Sequence, residues 1–264
     1  MPTIQSNADP KQPCPINVEV EGPANAPVLM MCNSLGTDLH MWDLQAPTFA
    51  QHFRLVRYDR RGHGKSAVPN GPYSMEMLGR DALAVMDGLG LGKVNWCGLS
   101  MGGMVGQWLG ANAPDRIERL ILSNTHSYYA DKAMWDDRIK FAREKGLAAA
   151  VEPTMERWFS KEFRERAPDS IERMRKMFLT TQVDGFLGCC AAIRNMDLRD
   201  THARITAPTL VIVGTKDPAT PPAAGEEIKS RIKGAKLAPL DAAHISNVEQ
   251  PQAYIDAVVG FLKA

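Results

Sequence analysis

Five short apolar runs, Val28–Cys32, Leu55–Tyr58, Val94–Cys97, Leu120–Leu122 and Leu210–Val213, leave this chain few ways to fold. Each is hydrophobic without alternation, which predicts a strand covered on both faces, as in a parallel sheet between helical layers. Between them, 74–89 and 101–112 carry helical patterns. A last helix over about 250–263 lines up Ile255, Val258, Val259 and Leu262 as one apolar face. Asn17–Val20 alternates and is predicted as an outer antiparallel strand. Between Asn124 and Pro208 the β-rich runs stop. That stretch is rich in Arg, Lys, Glu, Met and Ala, with punctuation at Pro153, Pro168 and Gly185, so four short helices are expected. The predicted organisation is an α/β core of residues 1–124 and 208–264, interrupted by a helical lid over 125–207. At 264 residues, 44% of them apolar, the chain suffices for one continuous core.

Charge narrows the partners. Thirty-one basic and 30 acidic residues are spread through the chain, and no basic block of the kind that holds phosphate backbones occurs, so no nucleic acid partner is expected. No apolar run reaches the roughly 18 residues of a membrane span, and the first residues lack the apolar centre of a secretory signal. Cys14, Cys32, Cys97, Cys189 and Cys190 show no C-x-x-C spacing and read as buried free thiols of a reducing compartment. Cytoplasm is the expected location, and a small molecule the expected partner.

The sharpest local signal is G-L-S-M-G at 98–102, directly after the run Val94–Cys97 and directly before a helical stretch. A turn this tight strains the central serine. Only small residues two positions to either side avoid a clash, hence Gly98 and Gly102. The turn lifts the Ser100 hydroxyl above the sheet at a helix N-terminus, where negative charge is favoured.

A serine hydroxyl needs a base, and the base needs an orienting acid. The run T-L-V-I-V at 209–213 leads into G-T-K-D-P, which puts Asp217 on the loop after a strand. A-P-L-D-A-A-H at 238–244 puts His244 after a further short strand. Both fall at carboxyl ends of strands, the edge where open α/β sheets bind ligands. The order Ser, acid, His, on a strand–turn–helix motif, resembles that of the α/β-hydrolase fold. Asp241 is the rival acid, but three residues from His244 it lies too close along the chain to reach the far side of the ring. An oxyanion hole requires two backbone N–H groups, one expected from Met101 and the other from Leu35 in N-S-L-G at 33–36. The loop Y-D-R-R-G-H-G-K-S at 58–66 reads as structural, with Asp59 tethering its turn. His40, His52, His126 and His202 lack metal-ligand spacing, and neither metal nor cofactor is expected.

From about residue 16 onward the chain resembles the 3-oxoadipate enol-lactonases. The particular stretches are N-S-L-G-T-D-L-H-M-W at 33–42, C-C-A-A-I-R at 189–194 and A-A-H-I-S-N-V-E-Q-P at 242–251. Y-D-R-R-G-H-G-K-S and G-L-S-M-G-G-M-V-G-Q-W-L at 98–109 are shared more widely across the fold. Asn33-Ser34 departs from the fold's common His-Gly and agrees with this branch. The resemblance implies hydrolysis of an anionic enol-lactone to 3-oxoadipate through an acyl-enzyme on Ser100. Such a substrate carries a carboxylate, for which Trp135 and Arg138, at i and i+3 of the first lid helix, and then Arg194, are the candidate contacts. Carboxylesterases, carbon–carbon bond hydrolases and cofactor-free perhydrolases share the fold and the triad, and a ligand receptor built on the fold is the non-enzymatic alternative.

Overall fold

The structure, a computed structural model, describes residues 3–264. Eight strands form one sheet: β1 (Thr3–Ser6), β2 (Cys14–Glu21), β3 (Val28–Cys32), β4 (Arg54–Tyr58), β5 (Val94–Leu99), β6 (Ile117–Ser123), β7 (Thr209–Gly214) and β8 (Lys236–Leu240). Their spatial order is β1-β2-β4-β3-β5-β6-β7-β8. The pairs β1–β2 and β2–β4 are antiparallel and all others parallel. All five apolar runs are strands, and β5 and β7 are buried along their whole length. The alternating segment is antiparallel as expected, yet not outermost. Ser6 in β1 donates to the buried Asp81 and adds an edge beyond it.

The helices are α1 (Ala46–Phe49), α2 (Met75–Gly88), α3 (Met101–Asn112), α4 (Ala133–Lys145), α5 (Val151–Trp158), α6 (Lys161–Arg166), α7 (Pro168–Thr180), α8 (Val183–Asn195), α9 (Pro222–Arg231), α10 (Ser246–Glu249) and α11 (Pro251–Lys263). Five of them, α4 to α8, fill the stretch between β6 and β7, where four were expected. The extra break lies at Trp158–Lys161. Ser160 caps α6 by accepting from the Phe163 N–H, which starts a new helix. Pro153 does not break α5 because it sits in its first turn, where the missing N–H costs nothing. Gly185 likewise lies inside α8, where a Cβ would meet the Gly62 carbonyl oxygen at 2.1 Å. Its role is a close approach of helix to loop.

After β3 the chain passes to β4 on one side and then returns to β5 on the other, so the β3–β5 boundary is where the strand order reverses. Crevices for ligands open at such points, outside the carboxyl ends of the strands. The loops after β3, β5, β7 and β8 all emerge along this edge, and α4 to α8 pack over it. Among the described residues no helix is long and apolar enough to cross a membrane. All five cysteines are free and buried.

Candidate active site

Ser100 joins β5 to α3 with φ +55° and ψ −114°, a conformation that non-glycine residues rarely adopt and that costs about 1–3 kcal/mol. Its neighbours enforce it. The Ser100 N–H donates to the Ser123 carbonyl (2.8 Å), and its own carbonyl accepts from the Thr125 hydroxyl (2.7 Å). A Cβ on Gly98 would lie 2.1 Å from the Gly102 oxygen, and one on Gly102 would lie 1.9 Å from the Cys32 oxygen. Small residues at both positions let β3, β5 and α3 meet.

Asp217 is buried on the loop after β7 and collects donors. One carboxylate oxygen accepts from the Ala219 N–H (2.8 Å) and the Thr220 N–H (3.0 Å). The other accepts from the Thr220 hydroxyl (2.6 Å), Asn124 Nδ2 (3.0 Å) and His244 Nδ1 (2.8 Å). Burial alone would raise its pKa. The His244 charge and the bonds from His244, Thr220 and Asn124 outweigh that and hold the carboxyl below its usual range. With Nδ1 committed to Asp217, Nε2 is the ring nitrogen left to act as a base. Ser100 and His244 line the same cavity, though their side chains do not meet hydrogen-bond geometry; such contacts often tighten only when substrate is bound. Asp241 is solvent-exposed and paired with Lys216 Nζ (3.0 Å), away from the imidazole.

Asn124 and Thr220 escaped the sequence reading. Asn124 (φ +44°) donates to Asp217 and to the Ala243 carbonyl (3.1 Å), and it accepts from the Ser246 hydroxyl (2.5 Å). It thereby ties the loops after β6, β7 and β8 together. The signal was its place directly after β6, on the edge that carries the other loops.

The cavity has a volume of about 130 Å³, room for a small molecule. Its lining combines Ser34, Leu35, Ser100, Met104 and His244 with Trp135 and Arg138 of α4, Thr154, Arg157 and Trp158 of α5 and Phe178 of α7. The Leu35 and Met101 N–H groups have no acceptor among the described residues. The Arg138 guanidinium lies over the Trp135 ring, 4.6 Å from its centroid. Arg157, also missed, donates to Thr154 Oγ1 (3.0 Å); burial, then the like charge of Arg138, pushes its pKa down to about 10. Neither arginine has a carboxylate partner among the described residues. The expectation for Arg194 is corrected. Its guanidinium forms two bonds to the Asp136 carboxylate (2.5 and 2.9 Å) and does not line the cavity. Its neighbour Ile193 does line it, because adjacent helix positions face about 100° apart. No cluster of metal-binding side chains occurs among the described residues.

The sequence pattern of the α/β hydrolase fold matches residues 27–251, and the chain belongs to that family. Within it, the chain is similar to 3-oxoadipate enol-lactonase 2 of Acinetobacter baylyi, 38% identical over 248 residues that span 94% of this chain and 93% of the relative. The crystal structure of the enol-lactonase from Burkholderia xenovorans superposes with a TM-score of 0.95 at 41% identity over 100% of both chains. A thermophilic esterase from Thermogutta terrifontis, 27% identical, matches 99% of this chain and 97% of its own with a TM-score of 0.92.

Proposed function

We propose that the protein opens 3-oxoadipate enol-lactone to 3-oxoadipate through an acyl-enzyme on Ser100, working in the cytoplasm with α4 to α8 as its lid. The observation that carries this reading is one small cavity lined by Ser100 and His244 together with two arginines that pair with no carboxylate among the described residues, Arg138 and Arg157. An ester of neutral groups would bring no negative charge to these arginines, whereas an anionic lactone brings a carboxylate. The similarity to two enol-lactonases supports the same substrate, and the five buried free thiols support a reducing compartment.

In this mechanism His244 Nε2 takes the Ser100 proton as Oγ attacks the lactone carbonyl, while Asp217 keeps the imidazole oriented and stabilises its cation. The Leu35 and Met101 N–H groups receive the oxyanion. The ring C–O bond then breaks, and His244 returns the proton to the departing enol oxygen. That oxygen stays tethered to the acyl-enzyme, and relaxation of the enol to a ketone draws the step away from reclosure. Water deprotonated by His244 releases the diacid. These steps use only the named side chains, backbone N–H groups and water.

The test follows loss of the enol-lactone beside turnover of p-nitrophenyl acetate. A hydrogen bond to a charged group contributes about 1.5–3 kcal/mol, so Arg138→Ala and Arg157→Ala should each raise KM for the lactone roughly tenfold or more and leave the neutral ester within threefold. Equal losses on both substrates would remove the arginines from this role. Turnover of the ester without turnover of the lactone would refute the substrate.

A further inference from the structure

The 58–66 loop, predicted as a structural turn, grips the loop after β3 at four backbone groups. The Asp59 carboxylate accepts the Leu39 N–H (2.8 Å), and His63 Nε2 accepts the Gly36 N–H (2.9 Å). The Arg60 guanidinium donates through Nη1 to the Asn33 carbonyl and through Nη2 to the Ser34 carbonyl (2.8 Å). Arg60 is 1% exposed and, unlike its neighbour Arg61, which binds the Asp81 carboxylate, has no acidic partner among the described residues. Its remaining contact is the Cys32 sulfur at 4.0 Å. A guanidinium stays protonated in any protein setting, and a buried charge without a counter-ion is costly to keep. Apart from that long contact to sulfur, the two carbonyl oxygens of one loop therefore carry its hydrogen-bond compensation.

The Ser34 carbonyl belongs to the same peptide group as the Leu35 N–H. In a planar trans peptide the two point in opposite directions. Holding the oxygen back towards Arg60 turns the N–H away from Arg60. Thr37 Oγ1 donates to the same oxygen at 2.8 Å, and the Thr37 N–H at 3.3 Å. A cation on the carbonyl also polarises the peptide, because hydrogen bonds in a chain strengthen one another. We infer that Arg60 is a positioning residue of the oxyanion hole, which fixes and polarises the Ser34–Leu35 peptide so that the Leu35 N–H is aimed at, and strengthened for, the oxyanion. The inference rests on the reading of Leu35 as a hole donor and extends the 58–66 loop from scaffold to catalysis. No ground-state contact of Arg60 with substrate is involved, so its effect belongs to the transition state.

The test pairs p-nitrophenyl acetate kinetics with inhibition by 1,1,1-trifluoropentan-2-one, whose adduct with a serine carries an oxyanion. Losing a hole donor outright lowers kcat by about 10²–10³. Weakening one through Arg60→Met should lower kcat about 10- to 100-fold, keep KM within twofold, and raise the inhibition constant by the same factor as kcat falls. Arg60→Lys, which keeps the charge, should recover part of both. If Arg60→Met does not fold, Thr37→Val removes a second donor to the same carbonyl. It should lower kcat and inhibitor affinity together by about 3- to 10-fold, with Thr37→Ser restoring them. Variants with unchanged inhibitor affinity, or with losses that only track the folded fraction, would overturn the inference. Wild-type protein that formed no adduct with the ketone would refute the serine nucleophile itself, and the inference with it.

Discussion

Replacing Asp217 by Asn tests the site at one atom. The carboxylate accepts five hydrogen bonds, two on one oxygen and three on the other. The two on the first come from backbone N–H groups of Ala219 and Thr220, which cannot turn, so the new amide must keep its oxygen there and present its NH2 to His244, Thr220 and Asn124. The Thr220 hydroxyl can rotate to accept, and Asn124 Nδ2 keeps the Ala243 carbonyl. His244 must then accept at Nδ1, which moves its proton to Nε2 and removes the lone pair that serves Ser100. The folding cost is that of about one weakened buried donor, roughly 1–3 kcal/mol. The catalytic cost is much larger. The same change in a serine-protease triad lowers kcat by about 10⁴, equivalent to about 5.4 kcal/mol of barrier at 1.36 kcal/mol per decade. Asp217→Asn should therefore remain folded, with Tm lowered by a few degrees, and lose about 10⁴ in kcat/KM on p-nitrophenyl acetate. A folded variant within tenfold of the wild type would refute Asp217 as the orienting acid.

Other outcomes follow from the same geometry. A fluorophosphonate should label Ser100 in folded protein and leave Ser100→Ala unlabelled; a folded wild type that resisted labelling would favour the receptor reading. Gly102→Ala, whose Cβ has only 1.9 Å to the Cys32 oxygen, should lose activity at least 100-fold or fail to fold, while Gly92→Ala, with nothing within 4 Å, should match the wild type in activity and Tm. Acid should weaken the fold through histidines that are buried neutral. Burial, then Arg231, lowers the pKa of His202 to about 4, and burial, then Arg60, holds His63 well below its usual value. The unfolded chain binds these protons first, so stability is complete above about pH 6.5 and declines as pH falls towards 4. Urea unfolding at pH 7.5 and 5.5 should show a loss of about 1 kcal/mol or more, reduced in His202→Gln; an equal slope in that variant would exclude His202 as a source.

The parts of this molecule legible in its sequence are those where a single force decides. Doubly covered strands had to be continuously apolar, so β3 to β7 stood out, and the strained turn at Ser100 had to be flanked by glycine. β1 did not stand out because Thr-Ile-Gln-Ser is short and only partly buried at an edge, and its place depends on the distant Asp81. The helical stretch was legible as helical, but its breaks were not. Proline in a first turn and glycine at a close contact both imitate punctuation. Among the arginines, composition separated nothing: Arg138 and Arg157 reach the cavity and Arg194 turns to Asp136 because of rotation about their helices, which only the packing of α4, α5 and α8 decides. Asn124 and Thr220 act through bonds to a residue some 90 positions away and to one three positions away, and the longer of these exists only once the sheet has formed.

The helices facing Ser100 leave and rejoin the sheet at neighbouring strands, since β6 pairs directly with β7 from Leu120↔Thr209 to Ser123↔Ile212. The two ends of residues 124–208 are therefore held at fixed places on neighbouring strands, Asn124 at the carboxyl end of β6 beside Ile212 and Pro208 beside Leu120 at the amino end of β7, whatever lies between them. The helices between residues 133 and 195 can lengthen, shorten or be exchanged while Asn124 and Thr125, at the start of the stretch, keep Asp217 and Ser100 in place. In the function proposed above, chemistry and choice of substrate are written in separate pieces of one polypeptide, and a graft of these helices is the natural way to change the second and keep the first.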